Sequence, residues 1–220
     1  MTENVFPKTR YESPLVKICG ITNVDDALHA AACGAEFLGF NFFHGSPRYI
    51  KPADAKEIIK RLPQSTVAVG VFVNEREERI LEICEMTGLK VVQLHGDESP
   101  GFVARLREVR DVEVIKAVRI RPGDRAEDLV QTGANAILLD GYSKRGWGGL
   151  GERIDWQLAY EVGLLHGPIF LAGGLNPESI EEAIRTVRPH GVDAASGVES
   201  SPGKKDPMKV EEFIRNAKGV

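Results

Sequence analysis

LVKICGITNVDDALHAAACG, residues 15–34, decides the fold. Its first five residues, LVKIC, form a nearly unbroken apolar run, as expected for a parallel strand covered by helices. They pass through CGIT into a segment with helical spacing. Thr22 followed by Asp25 resembles a capping box, and Gly34 marks the helix end. An open doubly wound sheet usually carries G-x-G-x-x-G in the turn after its first strand. No such pattern follows LVKIC, so the unit reads as the first repeat of another parallel architecture.

The same unit recurs to the end of the chain. Further apolar runs are FLGFNFF (37–43), VAVGVFV (67–73), VVQL (91–94), VEVIKAV (112–118), AILLD (136–140), IFLAG (169–173) and VDAAS (192–196). Helical stretches punctuate them. KPADAKEIIKRL places Pro52 near a helix start, and NEREERILEICEMTG ends at Gly88. NPESIEEAIRTV offers Asn176 as N-cap with Pro177 in the first helical position, and DPMKVEEFIRNAKG repeats the device with Asp206 and Pro207. Strand starts lie roughly 20 to 30 residues apart, the length of one strand, one helix and two loops. Eight such units make a small single-domain (β/α)8 TIM barrel, an α/β fold over residues 15–220. Residues 1–14 read as a polar, loosely held extension ahead of it.

Composition narrows the function classes. The 220 residues carry a net charge of −4, with 42% hydrophobic and 27% charged side chains. That is ordinary globular chemistry without the basic footprint of a nucleic-acid binder. No apolar run approaches the roughly 18 residues of a membrane span, and the N-terminus lacks the apolar stretch of a secretory signal. Three cysteines, Cys19, Cys33 and Cys84, form no C-x-x-C pair. An odd count fits a reducing cytoplasm better than a disulfide framework.

In such a barrel the active site lies at the C-terminal ends of the strands, so the residues at those ends are the candidates. Cys19 ends the first strand. It is either a buried cysteine or a base or nucleophile, if its pKa is lowered. Cys33 and Cys84 fall within helices and read as structural. Arg48, in the loop after the second strand, is either a solvated surface arginine or a bidentate carboxylate ligand; His44 reads as a loop residue. Gln93 and His95 stand near the rim after the fourth strand, as hydrogen-bonded structural residues or substrate contacts. Asp140 closes the apolar sixth strand, where a carboxyl group is costly unless paired or kept protonated for use. The long Gly-rich stretch that follows suits a lid, and Asp155 beyond it reads as a helix N-cap. The seventh and eighth strands end in AGGLNPE and DAASGVESSPG. Two successive glycine-rich turns suit a phosphate site, with Gly173, Gly174, Ser196 and Gly197 as candidates. Asp193 adds an acid within the last strand.

These residues also carry a resemblance. VKICGIT (16–22), GFNFFHGSPRYI (39–50), VGVFVNE (69–75), VVQLHGDE (91–98), the LLD strand end, LAGGLNPE (171–178) and DAASGVESSPGKKD (193–206) resemble the ordered motifs of the phosphoribosylanthranilate isomerase family. The resemblance implies an Amadori rearrangement in tryptophan biosynthesis, N-(5′-phosphoribosyl)anthranilate becoming 1-(2-carboxyphenylamino)-1-deoxyribulose 5-phosphate. It implies no cofactor or metal, and a small-molecule substrate as partner. It makes Cys19 the general base, Asp140 the general acid and Arg48 the ligand of the anthranilate carboxylate. His95 and Asp193 would support the substrate, and the turns at Gly173–Gly174 and Ser196–Gly197 would hold the phosphate.

The sequence departs from the family pattern at Leu150 and Glu152, where a small hydroxyl residue and a lysine are usual. Gly141 replaces a hydroxyl residue after the acid, and Ala195 a common serine. These changes bear on the lid and the phosphate site, and leave acid, base and arginine in place. Two sister enzymes are rivals. The histidine-pathway isomerase uses a carboxylate base, against Cys19. Indole-glycerol-phosphate synthase uses lysines, for which Lys17 and Lys116 stand on strands, but its other motifs do not match. A rival of another class is a barrel that binds a phosphorylated metabolite without turnover. Monomer and homodimer both remain open.

Overall fold

The computed structural model describes residues 5–6, 13–109, 112–141 and 154–220. Eight parallel strands close into a ring in chain order: β1 (Leu15–Cys19), β2 (Phe37–Asn41), β3 (Val67–Phe72), β4 (Val91–Leu94), β5 (Glu113–Ile120), β6 (Ala136–Gly141), β7 (Ile169–Leu171) and β8 (Gly191–Ala194). Helices α1 (Val24–Ala32), α2 (Pro52–Ile59), α3 (Glu77–Thr87), α4 (Pro100–Val109), α5 (Ala126–Leu129), α6 (Trp156–Leu165), α7 (Ile180–Val187) and α8 (Pro207–Lys218) follow the strands in turn. The ring closes where Lys17 of β1 registers with Asp193 of β8. A short antiparallel hairpin, β9 (Glu199–Ser201) with β10 (Lys204–Lys205), lies between β8 and α8.

The expected strands and the observed ones agree in number and place. The helix starts differ in two. Asn23 rather than Thr22 caps α1, accepting from the Asp26 N–H at 2.9 Å. The Thr22 hydroxyl instead donates to the carbonyl of Gly203. Asn176 caps a turn, accepting from the Ser179 N–H at 2.9 Å, so α7 begins at Ile180 and not at Pro177. Asp155 and Asp206 cap α6 and α8 as expected, each accepting two backbone N–H bonds, and Gly88 ends α3 in the left-handed conformation. Helices α4 and α5 and the β9–β10 hairpin have no counterpart in the sequence reading; in α5 and the hairpin, four residues or fewer are too few to show a period.

Side chains alternate across the ring, because successive residues of a strand point to opposite faces. Val16, Ile18, Leu38, Phe40, Val92 and Leu94 face outward and join the shell beneath the helices. Phe37, Val69, Val91, Ile115, Ala136, Leu138 and Phe170 face inward and fill the barrel near the starts of its strands. Phe6, inside the stretch read as a loosely held extension, is buried in that same interior. It stacks on Phe37 at 5.7 Å between ring centroids and meets Phe170 edge-on at 5.9 Å. The sequence could not show this, since one aromatic in a polar segment has no periodic partner. Phe6→Ala is expected to cost about 3 kcal/mol of stability, the usual loss for truncating a core aromatic; a urea unfolding midpoint unchanged from wild type would show that the ring adds nothing.

Towards the strand ends the inward positions turn polar: Lys17, Cys19, Asn41, Gln93, His95, Asp140 and Asp193 share one parity. An apolar floor beneath a polar mouth therefore follows from the order of residues along each strand. Among the described residues no helix is long and apolar enough to cross a membrane.

Candidate active site

A cleft of about 310 Å³ opens at the C-terminal ends of the strands. Every residue expected at the site borders it: Cys19, Arg48, His95, Asp140, Gly173, Gly174, Asp193, Ser196 and Gly197. The lid expectation, with Leu150 and Glu152, falls within 142–153 and lies outside the described residues. Asp155 proves to be the N-cap it was read as. The His44 ring packs on Tyr49, 4.1 Å between centroids, as suits a loop residue.

Cys19 ends β1 with its side chain on the inner face, 9% exposed. Gly39, its neighbour on β2, makes room for it: a Cβ there would lie 2.7 Å from the Cys19 sulfur. Lys17, two residues back on the same face, is completely buried, and its ammonium donates to Asp193 Oδ1 at 2.8 Å. Burial pushes the Cys19 thiol above its ordinary value; Lys17 and, more weakly, Lys205 pull the other way, while Asp193 adds to the rise. The sequence reading wanted a lowered value, so in this respect the site departs from it. Burial also pulls the Lys17 ammonium down, but Asp193 and Cys19 together outweigh it and hold it above the ordinary lysine value. An ammonium paired with the Asp193 carboxylate thus stands beside the sulfur.

Arg48 arrives from the loop after β2. Gly20, at φ +81°, leaves space for its stem; a Cβ there would meet Arg48 Cδ at 2.5 Å. The guanidinium is held from one side by Glu199, which accepts from Nε at 2.9 Å and from Nη2 at 2.7 Å. The same carboxylate accepts from the Lys205 ammonium at 3.0 Å. Burial pushes the Glu199 carboxyl up, but Arg48 and Lys205 outweigh it and hold it below its ordinary value. Lys205 also donates to the carbonyl of Cys19 at 2.6 Å and that of Ala195 at 3.1 Å. The β9–β10 hairpin therefore ties the ends of β1 and β8 together and sets the arginine. A guanidinium has five N–H donors. The Nε–Nη2 edge belongs to Glu199, and the Nη1–Nη2 edge is the side on which a carboxylate ligand can be taken.

Asp140 stands last but one in β6, 5% exposed. Its Oδ1 accepts from the Gly141 N–H at 2.9 Å and its Oδ2 lies 3.1 Å from His95 Nε2. His95 Nδ1 lies 2.8 Å from Gln93 Nε2. Across the cleft, Gly173 and Gly174 both take positive φ, +87° and +73°, which opens the β7 turn. At Gly197 a Cβ would meet the Leu175 carbonyl oxygen at 2.0 Å, so only glycine lets the turn after β8 pack on the turn after β7.

Sequence reasoning missed Glu199 and Lys205, and used Lys17 only to weigh a rival. One signal was available: a lysine at an inward position of an otherwise apolar strand must have a buried partner. Glu199 and Lys205 both stand in the motif DAASGVESSPGKKD, but nothing in it shows their roles, which depend on a hairpin folding back over β1.

Fold and site define the class: a (β/α)8-barrel enzyme of the sugar-phosphate type, with acid–base side chains at the mouth and glycine turns after its last two strands. Residues 16–216 match the family described as N-(5′-phosphoribosyl)anthranilate (PRA) isomerase. The N-(5′-phosphoribosyl)anthranilate isomerase of Trichlorobacter lovleyi is 46% identical over 203 residues, covering 92% of this chain and 97% of that one. The phosphoribosyl anthranilate isomerase of Thermotoga maritima superposes with a TM-score of 0.83 at 41% identity, over 94% of this chain and all of that one. A phosphoribosyl anthranilate isomerase in complex with reduced 1-(o-carboxyphenylamino)-1-deoxyribulose 5-phosphate does so at 0.80 and 39%, with the same coverage. The chain belongs to the phosphoribosylanthranilate isomerase family.

Proposed function

We propose that this protein isomerises N-(5′-phosphoribosyl)anthranilate to 1-(2-carboxyphenylamino)-1-deoxyribulose 5-phosphate in tryptophan biosynthesis, with Cys19 as general base and Asp140 as general acid. The observation that carries this is the placement of a thiol on β1 and a carboxyl on β6 facing one cleft, between a set arginine and the two glycine turns. The turns at Gly173–Gly174 and Ser196–Gly197 hold the phosphate through backbone N–H groups. Arg48 holds the anthranilate carboxylate on its free edge, and His95 and Asp193 border the ribose. Pinning both ends of the substrate leaves C1′, C2′ and the ring oxygen between base and acid, which is catalysis by orientation.

Asp140 gives its proton to the ribose ring oxygen as the C1′–O bond breaks, leaving an iminium at C1′. The iminium draws electrons from C2′, whose proton passes to the Cys19 sulfur while the C1′–C2′ double bond forms. The enolamine then loses its hydroxyl proton and gains one at C1′, giving the ketone. At the end Asp140 is a carboxylate and Cys19 a thiol, and exchange with solvent resets both. The Lys17 ammonium offsets the charge that a thiolate brings into a buried site. This reading also places the enzyme in the cytoplasm, supported by its three free cysteines, as a monomer or homodimer.

The test is the loss of anthranilate fluorescence when purified protein meets freshly made phosphoribosylanthranilate. No loss, with the reduced product analogue still bound, would make this a binding barrel. Two further results are expected. Gly39→Ala pushes a methyl into the Cys19 sulfur, and kcat falls roughly 10- to 100-fold, the scale set by misplacing a reacting group; an unchanged kcat would detach the sulfur from the chemistry. Arg48→Ala raises KM by about tenfold or more with a smaller effect on kcat, and Glu199→Gln follows in the same direction, because both loosen a binding contact. A KM unchanged in Arg48→Ala would remove the arginine from carboxylate binding.

A further inference from the structure

The chain Gln93–His95–Asp140 leaves one atom unexplained. Gln93 is completely buried on the inner face of β4, and its Oε1 is without a hydrogen-bond partner. A buried amide oxygen left unpaired is costly and calls for a reason. The other end of the amide supplies one. Its Nε2 can only donate, and it lies 2.8 Å from His95 Nδ1. That nitrogen must then offer its lone pair, so the ring proton sits on Nε2 and points at Asp140 Oδ2, 3.1 Å away.

Turning the Gln93 amide over gives the alternatives, in which His95 Nδ1 carries a proton, with or without a second on Nε2. Both put the amide oxygen on the protonated Nδ1 and leave both amide N–H donors unpaired, where the first setting leaves one N–H and the carbonyl; of buried groups, an orphaned N–H is the rarer. Either the lone pair of His95 Nε2 would then face Asp140 and hold the acid's proton between Oδ2 and the ring, or an imidazolium would have taken that proton outright. An acid so engaged has no proton to offer. In the first setting His95 donates to the carboxyl, leaves its proton to the substrate, and stabilises the carboxylate that remains, together with the Gly141 N–H at 2.9 Å.

We propose that Gln93 is a positioning residue that locks His95 in its Nε2–H tautomer, and that His95 in turn acts on the reaction through Asp140. The inference rests on the reading of Asp140 as general acid. It makes the unpaired Gln93 oxygen the consequence of choosing a tautomer, at some expense in stability.

The test uses the full-length protein with nitrogen-15-labelled histidine. The wild type should show the neutral Nε2–H pattern for His95, assigned by its absence in His95→Leu, and Gln93→Met should show a mixture of tautomers. Gln93→Met removes the unpaired oxygen and the bond to His95 Nδ1 together at nearly constant volume, so the two effects oppose and Tm should change little. Its kcat should fall by about ten- to a hundredfold at unchanged KM, the size of one lost hydrogen bond to a charged group. His95→Gln, whose amide N–H reaches the place of Nε2, should keep most of the kcat that His95→Leu loses. A wild-type His95 protonated on Nδ1, or a Gln93→Met enzyme with full kcat, overturns the proposal. Failure of the underlying reading looks different: Asp140→Asn would then turn over normally, whatever the tautomer of His95.

Discussion

The Cys19→Ala enzyme is expected to lose turnover by roughly 10²- to 10⁴-fold, the scale of one general base, while still binding the reduced product analogue. Cys19→Ser should be as slow, although it preserves size and hydrogen bonding, because a hydroxyl gives up its proton far less readily than a thiol. Steady-state kcat beside calorimetric binding of the analogue checks both, and a serine variant near wild-type rate would show that the group acts by position alone. The thiol has a second signature. Burial raises its value in the folded protein even though Lys17 opposes the rise. A raised folded value favours the neutral thiol, so the associated stability is fully present below the ordinary thiol value and is lost as pH rises through the folded one. Wild-type Tm should therefore fall more steeply than that of Cys19→Ala on the alkaline side. Parallel curves would mean that the sulfur titrates as in the unfolded chain.

Asp140→Asn should match that loss in kcat, again roughly 10²- to 10⁴-fold, with little effect on folding. The amide oxygen can still accept one of the two N–H bonds, from Gly141 or from His95. What it lacks is a proton it can give to the ring oxygen. The step affected is ring opening, so the variant should bind substrate without releasing the open-chain form. Rapid-quench analysis of bound substrate would reveal any open-chain imine. Its accumulation would move the role of Asp140 to a later step.

The barrel was legible because each strand is a short apolar run and each helix has punctuation at its ends. LVKIC and VVQL even match their observed limits. The candidate site was legible because barrel topology puts chemistry at strand ends, so Cys19 and Asp140 stand out by position alone. What stayed hidden has a common cause. Glu199 holds Arg48 from 151 residues away, and Lys205 reaches the carbonyl of Cys19 from 186 away. Neither partnership leaves a local period. Phe6 is the same case at the other end of the barrel. The direction of the Cys19 shift also lay beyond the sequence, since it is a balance of burial against a neighbouring ammonium.

The seam between β1 and β8 bears on how the molecule is made. Lys17 leaves the ribosome 176 residues ahead of its carboxylate partner. Until Asp193 emerges, the first strand carries an ammonium that no folded neighbour can neutralise, so an incomplete barrel has reason to stay open at that edge. Closure and assembly of the catalytic mouth are then one event, which waits for β8. A nascent chain truncated before β8 would carry Cys19 and Lys17 without Asp193 or the turn at Ser196–Gly197, so the mouth it presented would lack part of its lining.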